Sequence, residues 1–357
     1  MAMPAASHGD VSGKKVAVSM PSAGGRWIEE GELLKKLLLS EGCQVELLYT
    51  EEPGTEETEE EAPASSRQAA NTLGLIRNGC DVLIVASETE DEELVLSLAE
   101  AKNQGIPVIA YDRLLMNTDA VSYYVSYDSY REGQLQSDYV AASLGLLSAD
   151  RSKEHHVEFA AGDPEDYRSV YLFNGAYDTM KPFLDAGALS VPSGQVTFSQ
   201  VAVEGGDADH AKARMERILQ DNYSADLLLD AVICSTDKVA AGAAEASSSR
   251  REGKHQVIIT GLGAEEEALK YVTEGKQSMT LYEERQREAV VAAALACSLL
   301  TGDASDANLI ADSSWDFECR YDTASYDNGA GIVPSYLLEP IVITAGNVSE
   351  AAPGNAE

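Results

Sequence analysis

The sequence predicts an α/β fold of two Rossmann-like lobes with parallel sheets. Three observations predict it. Short apolar runs alternate with helical stretches from Lys15 onward. The same plan restarts after residue 128. Charged residues follow apolar runs directly, above all Asp112 and Arg113 after Val108–Tyr111. Alternating strand and helix is the pattern of a parallel, doubly wound sheet. Open sheets of that kind bind ligands just past the carboxyl ends of their strands.

The elements are read in order. Lys15–Met20 is a buried strand, broken by Pro21-Ser22-Ala23-Gly24-Gly25. A helix over 27–40 puts Leu33, Leu34, Leu37 and Leu38 on one face. A strand over 45–49 follows, then a Glu-rich stretch (51–61) that reads as a solvated loop rather than a site. A helix (65–78), a strand (Val82–Ala86) and a helix (91–104) stopped by Gly105 lead to Val108–Tyr111. Tyr123–Tyr127 is the next strand, and Asp128 caps the helix behind it.

In the second half, helices are expected over 129–144, 169–185, 208–219, 239–246, 265–273 and 284–300. Strands are expected over 157–161, 196–203, 231–234, 257–260, 279–281, 333–338 and 341–344. Residues 310–328 are polar and turn-rich, and the ends (1–13 and 347–357) read as disordered, the first as a trimmed or engineered start.

The 357 residues suffice for two domains, and a hydrophobic share of 44% suffices for sizeable cores. Sixty acidic residues against 26 basic ones give a formal net charge of −34. Such a surface repels nucleic acid and anionic lipid, so neither is expected as a partner. No run of about 20 apolar residues is present to span a membrane, and residues 1–13 have no apolar core of a signal segment. Cys43, Cys80, Cys234, Cys297 and Cys319 are scattered, with no CxxC and no His at ligand spacing, which argues against a zinc site. Cys43 and Cys80 are expected to be buried.

Several chemistries lack their motifs. No G-x-G-x-x-G follows the first strand, no phosphate loop is present, and no G-x-S-x-G elbow is present. His155, His156, His210 and His255 sit at predicted element edges, and His8 in the leading tail, none in a triad context. Glu283 and Glu284 are adjacent and badly placed to straddle a glycosidic bond. No enzyme, no cofactor and no metal are expected.

Particular stretches carry a family resemblance. They are Met20-Pro21 with Arg26-Trp27-Ile28-Glu29-Glu30-Gly31, then Gly79 to Ser87, then Gly105-Ile106-Pro107-Val108-Ile109-Ala110-Tyr111-Asp112-Arg113-Leu114. Ser122-Tyr123-Tyr124, Ala213-Arg214-Met215, Asp230-Ala231-Val232 and Asn328-Gly329 with Val333-Pro334-Ser335-Tyr336-Leu337-Leu338 add to them. From about Lys14 to Gly346 the chain resembles the periplasmic sugar-binding proteins of ABC importers, of the type I ribose/galactose/xylose class. Within that class it is most similar to multiple-monosaccharide and xylose binders.

The resemblance implies two lobes that close on a ligand. The first lobe is 14–127 plus 283–308 and the second 128–282 plus 309–346, with crossings near 127–128, 282–283 and 303–310. It implies ligand contacts from Arg26 and Trp27 at the start of the first helix, although Trp27 reads almost as well as a core anchor. Ser87 and Glu88 follow from the end of the third strand, and Asp112 with Arg113 from the end of the fourth. In the second lobe it implies Arg168, Asp237 and the hinge residue Glu283. It further implies a sugar-like ligand, a membrane permease as partner and a monomer. The location is periplasmic or at the cell surface, with a lipid anchor compatible with it. A receptor subunit for a sensor kinase or chemoreceptor, or a nucleoside or modified-sugar binder, is the alternative.

Three departures bear on the ligand. Gly263 stands where the family places a carboxylate, Glu283 where it places Lys, and Glu204-Gly205-Gly206 lacks an aromatic. A lost polar contact costs roughly 1–3 kcal/mol if the ligand still presents a partner. The expectation is therefore weak binding of glucose, galactose and xylose, with tighter binding of a larger or differently substituted neutral solute.

Overall fold

The computed structural model describes residues 9–22, 25–50, 64–88, 92–148, 153–248, 256–303 and 305–351. The Glu-rich stretch 51–61 lies outside the described residues. The chain forms two compact units, 1–127 with 285–339 and 128–284 with 340–357. It passes between them at 127/128, 284/285 and 339/340.

The first unit begins with β1 (Lys15–Met20), α1 (Arg26–Ser40), β2 (Gln44–Tyr49), α2 (Ala64–Arg77), β3 (Val82–Ala86), α3 (Glu92–Asn103), β4 (Val108–Tyr111) and β5 (Tyr123–Tyr127). Every residue of β3 and β4 is buried, as expected of parallel strands covered on both faces.

The second unit continues with α4 (Ser129–Ser143), β6 (His155–Ala160), α5 (Tyr167–Asp185), β7 (Leu189–Ser190), α6 (Phe198–Val201), α7 (Ala208–Asn222), β8 (Ala231–Cys234), α8 (Asp237–Ser248), β9 (Ile258–Ile259), α9 (Glu266–Thr273) and β10 (Met279–Tyr282). The chain then returns to the first unit for α10 (Arg285–Thr301), α11 (Ala307–Asp312), β11 (Cys319–Asp322) and β12 (Ser335–Leu338). It ends in the second with β13 (Ile341–Thr344) and α12 (Val348–Ala351).

The first unit holds a seven-stranded sheet in the order β11-β12-β5-β4-β3-β1-β2. All its pairs are parallel except β11 with β12. Its core gathers Val16, Val18, Leu34, Leu38, Ile84 and Tyr111 around α10. Alanine-rich α10 is buried over most of its circumference, from Glu288 to Ser298.

The second unit has a parallel sheet β7-β6-β8-β9 and a separate antiparallel pair β10-β13. In it α4 packs on α5 through two glycines. A Cβ on Gly133 would collide with the Leu172 carbonyl oxygen, and one on Gly175 with that of Tyr130.

Several expectations need correction. Residues 309–339 belong to the first unit, not to the second, and the third crossing is at 339/340 rather than 303–310. The reason is strand pairing: β12 lies parallel to β5, with Ser335 opposite Tyr124, and β11 pairs with β12. The polar look of 310–328 conceals an edge strand, which needs few apolar residues. The second crossing lies at 284/285 instead of 282–283. Residues 196–203 form no strand; Thr197 caps the short α6 with a capping box, and the strand is Leu189–Ser190.

Both ends are also more ordered than expected where they are described. Val11 is buried in the first unit's core. Asn347 ties β13 through Nδ2 to the Val342 carbonyl, and α12 follows it. Residues 1–8 and 352–357 lie outside the described set.

Candidate functional site

The first unit builds a polar cluster at the carboxyl end of β4. Asp112 follows Tyr111 and turns the chain with φ of +64°, in the left-handed region. Aspartate tolerates that region better than most side chains, yet the strain persists only where neighbours enforce it. Here they do. The Asp112 amide donates to the Val125 carbonyl at 3.0 Å. Its carbonyl accepts from the Tyr124 hydroxyl at 3.1 Å and the Ser126 hydroxyl at 2.8 Å.

The carboxylate held in this way receives Arg26, the first residue of α1. Nη1 donates to Oδ1 at 3.1 Å and Nη2 to Oδ2 at 2.5 Å, a bidentate pair. The same guanidinium lies 4.0 Å from the centroid of the Trp27 ring, a cation–π arrangement. Trp27 Nε1 donates to Glu88 Oε1 at 2.5 Å. Trp27 is itself buried in the core cluster, so it is a core anchor as well as a cluster member.

Glu88 is exposed, Ser87 beside it is buried, and Arg113 is half-buried with its amide on the Tyr111 carbonyl. The structure thus joins Arg26 to Asp112 and Trp27 to Glu88 by hydrogen bonds, with the Arg26 guanidinium over the Trp27 ring, and Ser87 and Arg113 flank them in the chain.

Behind Arg26 stands Glu30, one helical turn on. It is 3% exposed and lies 3.9 Å from Arg26 and 3.6 Å from Arg285. Those separations are ion-pair distances, too long for hydrogen bonds. Burial pushes its carboxyl up to about 7, with Arg26 opposing and Asp112 adding to the rise. Burial pulls the Arg26 guanidinium down, but Asp112, Glu30 and Glu288 outweigh it and hold the cation firmly protonated. The phenol of fully buried Tyr111 is raised by burial and by Glu288 and Glu30.

The second unit carries a comparable group. Arg168, at the start of α5, pairs with Glu283 just past β10 and donates from Nε to Ser129 Oγ at 3.1 Å. Its Nη2 is 3.7 Å from Glu132, which is fully buried on α4. Burial and the Glu283 charge hold the Glu132 carboxyl well above the usual carboxylate range, against Arg168.

Asp237 forms its own network at the start of α8. It accepts from Gln277 Nε2 at 2.7 Å, Thr280 Oγ1 at 2.8 and 3.0 Å, and the Ala264 amide at 2.7 Å. Burial raises its carboxyl while these bonds oppose the rise. Both oxygens are thereby engaged by the protein.

Gly263 lies in this loop with φ of +138°, and a Cβ there would stand 3.3 Å from Asp237 Oδ2. An aspartate at 263 would be strained and set against Asp237. This loop's backbone therefore disfavours a carboxylate at position 263.

Sequence reasoning missed Glu30, Glu132, Ser129, Gln277 and Thr280. Glu30 had a signal, its i+4 spacing from Arg26. Glu132 and Ser129 had another: with Gly133, Gln136 and Ser137 they form a buried face of α4 made largely of polar side chains. Nothing in the sequence pointed to Gln277 or Thr280. No cluster of three metal-ligating side chains occurs among the described residues.

A family model described as a periplasmic binding protein domain matches residues 16–304. The chain is 29% identical over 336 residues to the multiple sugar-binding periplasmic protein SbpA of Azospirillum brasilense, covering 93% of this chain and 86% of that protein. It is 30% identical over 336 residues to the multiple sugar-binding periplasmic receptor ChvE of Rhizobium radiobacter, covering 93% and 87%. Among solved structures it is similar to an ABC transporter solute-binding protein from Clostridium phytofermentans with bound β-D-glucose. There the TM-score is 0.72 and the identity 35%, with 94% of this chain and 96% of that one covered.

Proposed function

This chain belongs to the periplasmic binding protein family, and from that premise we propose that it captures a neutral monosaccharide outside the cytoplasm. It hands the sugar to the membrane permease of an ABC importer and works as a monomer without catalysis. The observation that carries the reading is the Arg26–Asp112 pair at the end of β4. A guanidinium has five donors and a carboxylate about four acceptor sites. Donors and acceptors set side by side suit vicinal hydroxyls, which both donate and accept, and the pair adds no net charge to be matched by the ligand.

Arg26, Trp27, Ser87, Glu88, Asp112 and Arg113 supply the contacts from the first unit. Arg168 and Glu283 supply those from the second. Asp237 acts there by holding the 260–264 loop, since its oxygens are already engaged. The glucose-bound relative at 35% identity supports an aldose as the ligand.

Titration calorimetry with D-glucose, D-galactose and D-xylose tests this, with light scattering for the mass in solution. At least one of the three is expected to bind in the micromolar range. A second reading rests on Glu283, which offers acceptors where an aldose binder offers a lysine's donors. It expects all three to bind in the millimolar range or not at all, with a larger or differently substituted neutral sugar binding more tightly. Micromolar binding of any of the three removes that second reading. Absence of binding by every neutral sugar removes both.

A further inference from the structure

The second unit carries a cavity none of whose lining residues belongs to the group around Arg168. Its volume is about 260 Å³, and it lies between the second half of α7 and the segment that runs from β7 through α6. Its polar lining comes from Gln195, Gln200, Arg214, Arg217, Asp221 and Asn222. Arg214 is half-buried and donates to neutral acceptors: Nη1 to the Phe159 carbonyl at 2.9 Å, and Nη2 to Gln195 Oε1 and, at 3.3 Å, to the Gln200 carbonyl. Glu158, buried on β6 beside Phe159, spends its oxygens on the Ser193 amide and hydroxyl and on the Tyr223 hydroxyl. Arg217, one turn beyond Arg214, is exposed. Neither guanidinium has an ion-pair partner among the described residues. Asp221 follows Arg217 by four residues without pairing to it, and a base placed before an acid at that spacing is the weaker order. The chain has 60 acidic residues and 26 basic ones. In such a chain a cation without a carboxylate is the exception, and here two of them line one cavity from one helix.

The amides add to the imbalance. Gln195 Oε1 is taken by Arg214. Gln200 Oε1 accepts from the Val196 and Thr197 amides, each at 3.1 Å, and from the Thr197 hydroxyl at 2.9 Å. The side-chain nitrogens of both glutamines and the Arg217 guanidinium are left over, and all of them donate. Asn222 offers a donor and an acceptor, and Asp221 acceptors alone. We infer that this cavity is a second binding site, for a small solute bearing a carboxylate or phosphate group. Such an oxyanion accepts from a guanidinium in bidentate fashion and from amide nitrogens beside it. Two cations against one carboxylate make the cavity locally positive in a protein whose net charge is −34. The site shares no residue with the proposed sugar contacts, so the inference stands or falls apart from that reading.

The test is titration calorimetry of the full chain with citrate and with inorganic phosphate, at an ionic strength fixed with sodium chloride so that screening is constant. One saturable site per chain is expected for at least one of the two. Citrate alone marks a carboxylate site, phosphate alone a phosphate site. Arg217→Ala is expected to weaken binding at least about fivefold, through the loss of a charged hydrogen bond. Arg217→Lys keeps the charge without the planar fork and should fall between the parent and the alanine variant. Asp221→Asn removes the one repelling carboxylate and should tighten binding by about threefold. Arg217 is exposed, so its variants are expected to keep the circular dichroism and the monosaccharide affinity of the parent. Three results overturn the inference, whatever the sugar titrations give: no saturable binding of either anion, a loss below about fivefold in Arg217→Ala, or weaker binding in Asp221→Asn, which would mean a ligand that donates.

Discussion

The two units answer one problem differently. Each sets an arginine at the start of a helix, gives it a near carboxylate and leaves a second carboxylate buried behind it. In the first unit these are Arg26, Asp112 and Glu30; in the second, Arg168, Glu283 and Glu132. The first unit adds another cation, Arg285, 3.6 Å from the buried acid. The second offers Glu132 one arginine against the repelling charges of Glu283 and Asp128. Glu30 consequently titrates near neutrality, at about 7, whereas Glu132 is held well above the usual carboxylate range. The same triad sets its buried carboxyl near neutrality in one unit and well above the usual carboxylate range in the other.

The largest expected effect breaks the first unit's triad at its centre. Asp112→Ala removes both acceptors of Arg26 and leaves the guanidinium facing Glu30 at 3.9 Å and the charge of Glu288. Removing one partner of a largely buried pair costs on the order of 3–5 kcal/mol. At least a hundredfold loss of sugar affinity is expected, measured by calorimetry against whichever monosaccharide the unaltered protein binds. Circular dichroism should remain that of the parent, because the carbonyl and amide of residue 112 keep their partners in β5 and its Tyr124 and Ser126 side chains. Undiminished affinity would place the site elsewhere.

A smaller effect sharpens the contrast in titration. A carboxyl whose folded value is raised contributes stability that is fully present below its unfolded value and is lost as pH rises through the folded one. For Glu30 the window is from 4.5 to about 7. Across it the first unit loses on the order of 3 kcal/mol of stability through this group. Glu30→Gln cannot ionise, so the stability of the variant relative to the parent should climb over the same window. Urea unfolding at pH 4, 5.5 and 7.5 measures it. Parallel pH curves for parent and variant would show that Glu30 keeps an ordinary value.

The contrast also explains what the sequence made legible. The fold was readable because buried parallel strands such as Val82–Ala86 are continuous apolar runs between amphipathic helices. Arg26 and Asp112 were readable because they sit at a helix start and a strand end. The third crossing was not, because β11 is an edge strand whose Cys-Arg-Tyr-Asp carries no apolar pattern and gains its place by pairing with β12. The sequence placed Asp237 after a strand but not its network, since Gln277 and Thr280 reach it from 40 and 43 residues away. Gly263 read as a lost ligand; only its backbone angle identifies it as a position where aspartate would be strained.

The smallest effect is expected at Glu132, and it is the most discriminating. Glu132 is fully buried, and neither carboxyl oxygen has a hydrogen-bond partner of ordinary geometry among the described residues. An ionised carboxylate in that position would be costly with one arginine at 3.7 Å that is already paired to Glu283. Protonation relieves the cost and leaves a neutral group of the size and shape of glutamine. Glu132→Gln should therefore change sugar affinity no more than about threefold and stability at pH 5 by less than about 1 kcal/mol. The parent loses stability as pH rises from 4.5 toward the raised folded value, and the variant does not. The variant should accordingly equal or exceed the parent at pH 8. If instead the glutamine protein is weaker at pH 8 by about 3 kcal/mol, as expected for a broken buried ion pair, Glu132 is ionised. The second unit would then be built like the first, with a carboxylate held against its arginine.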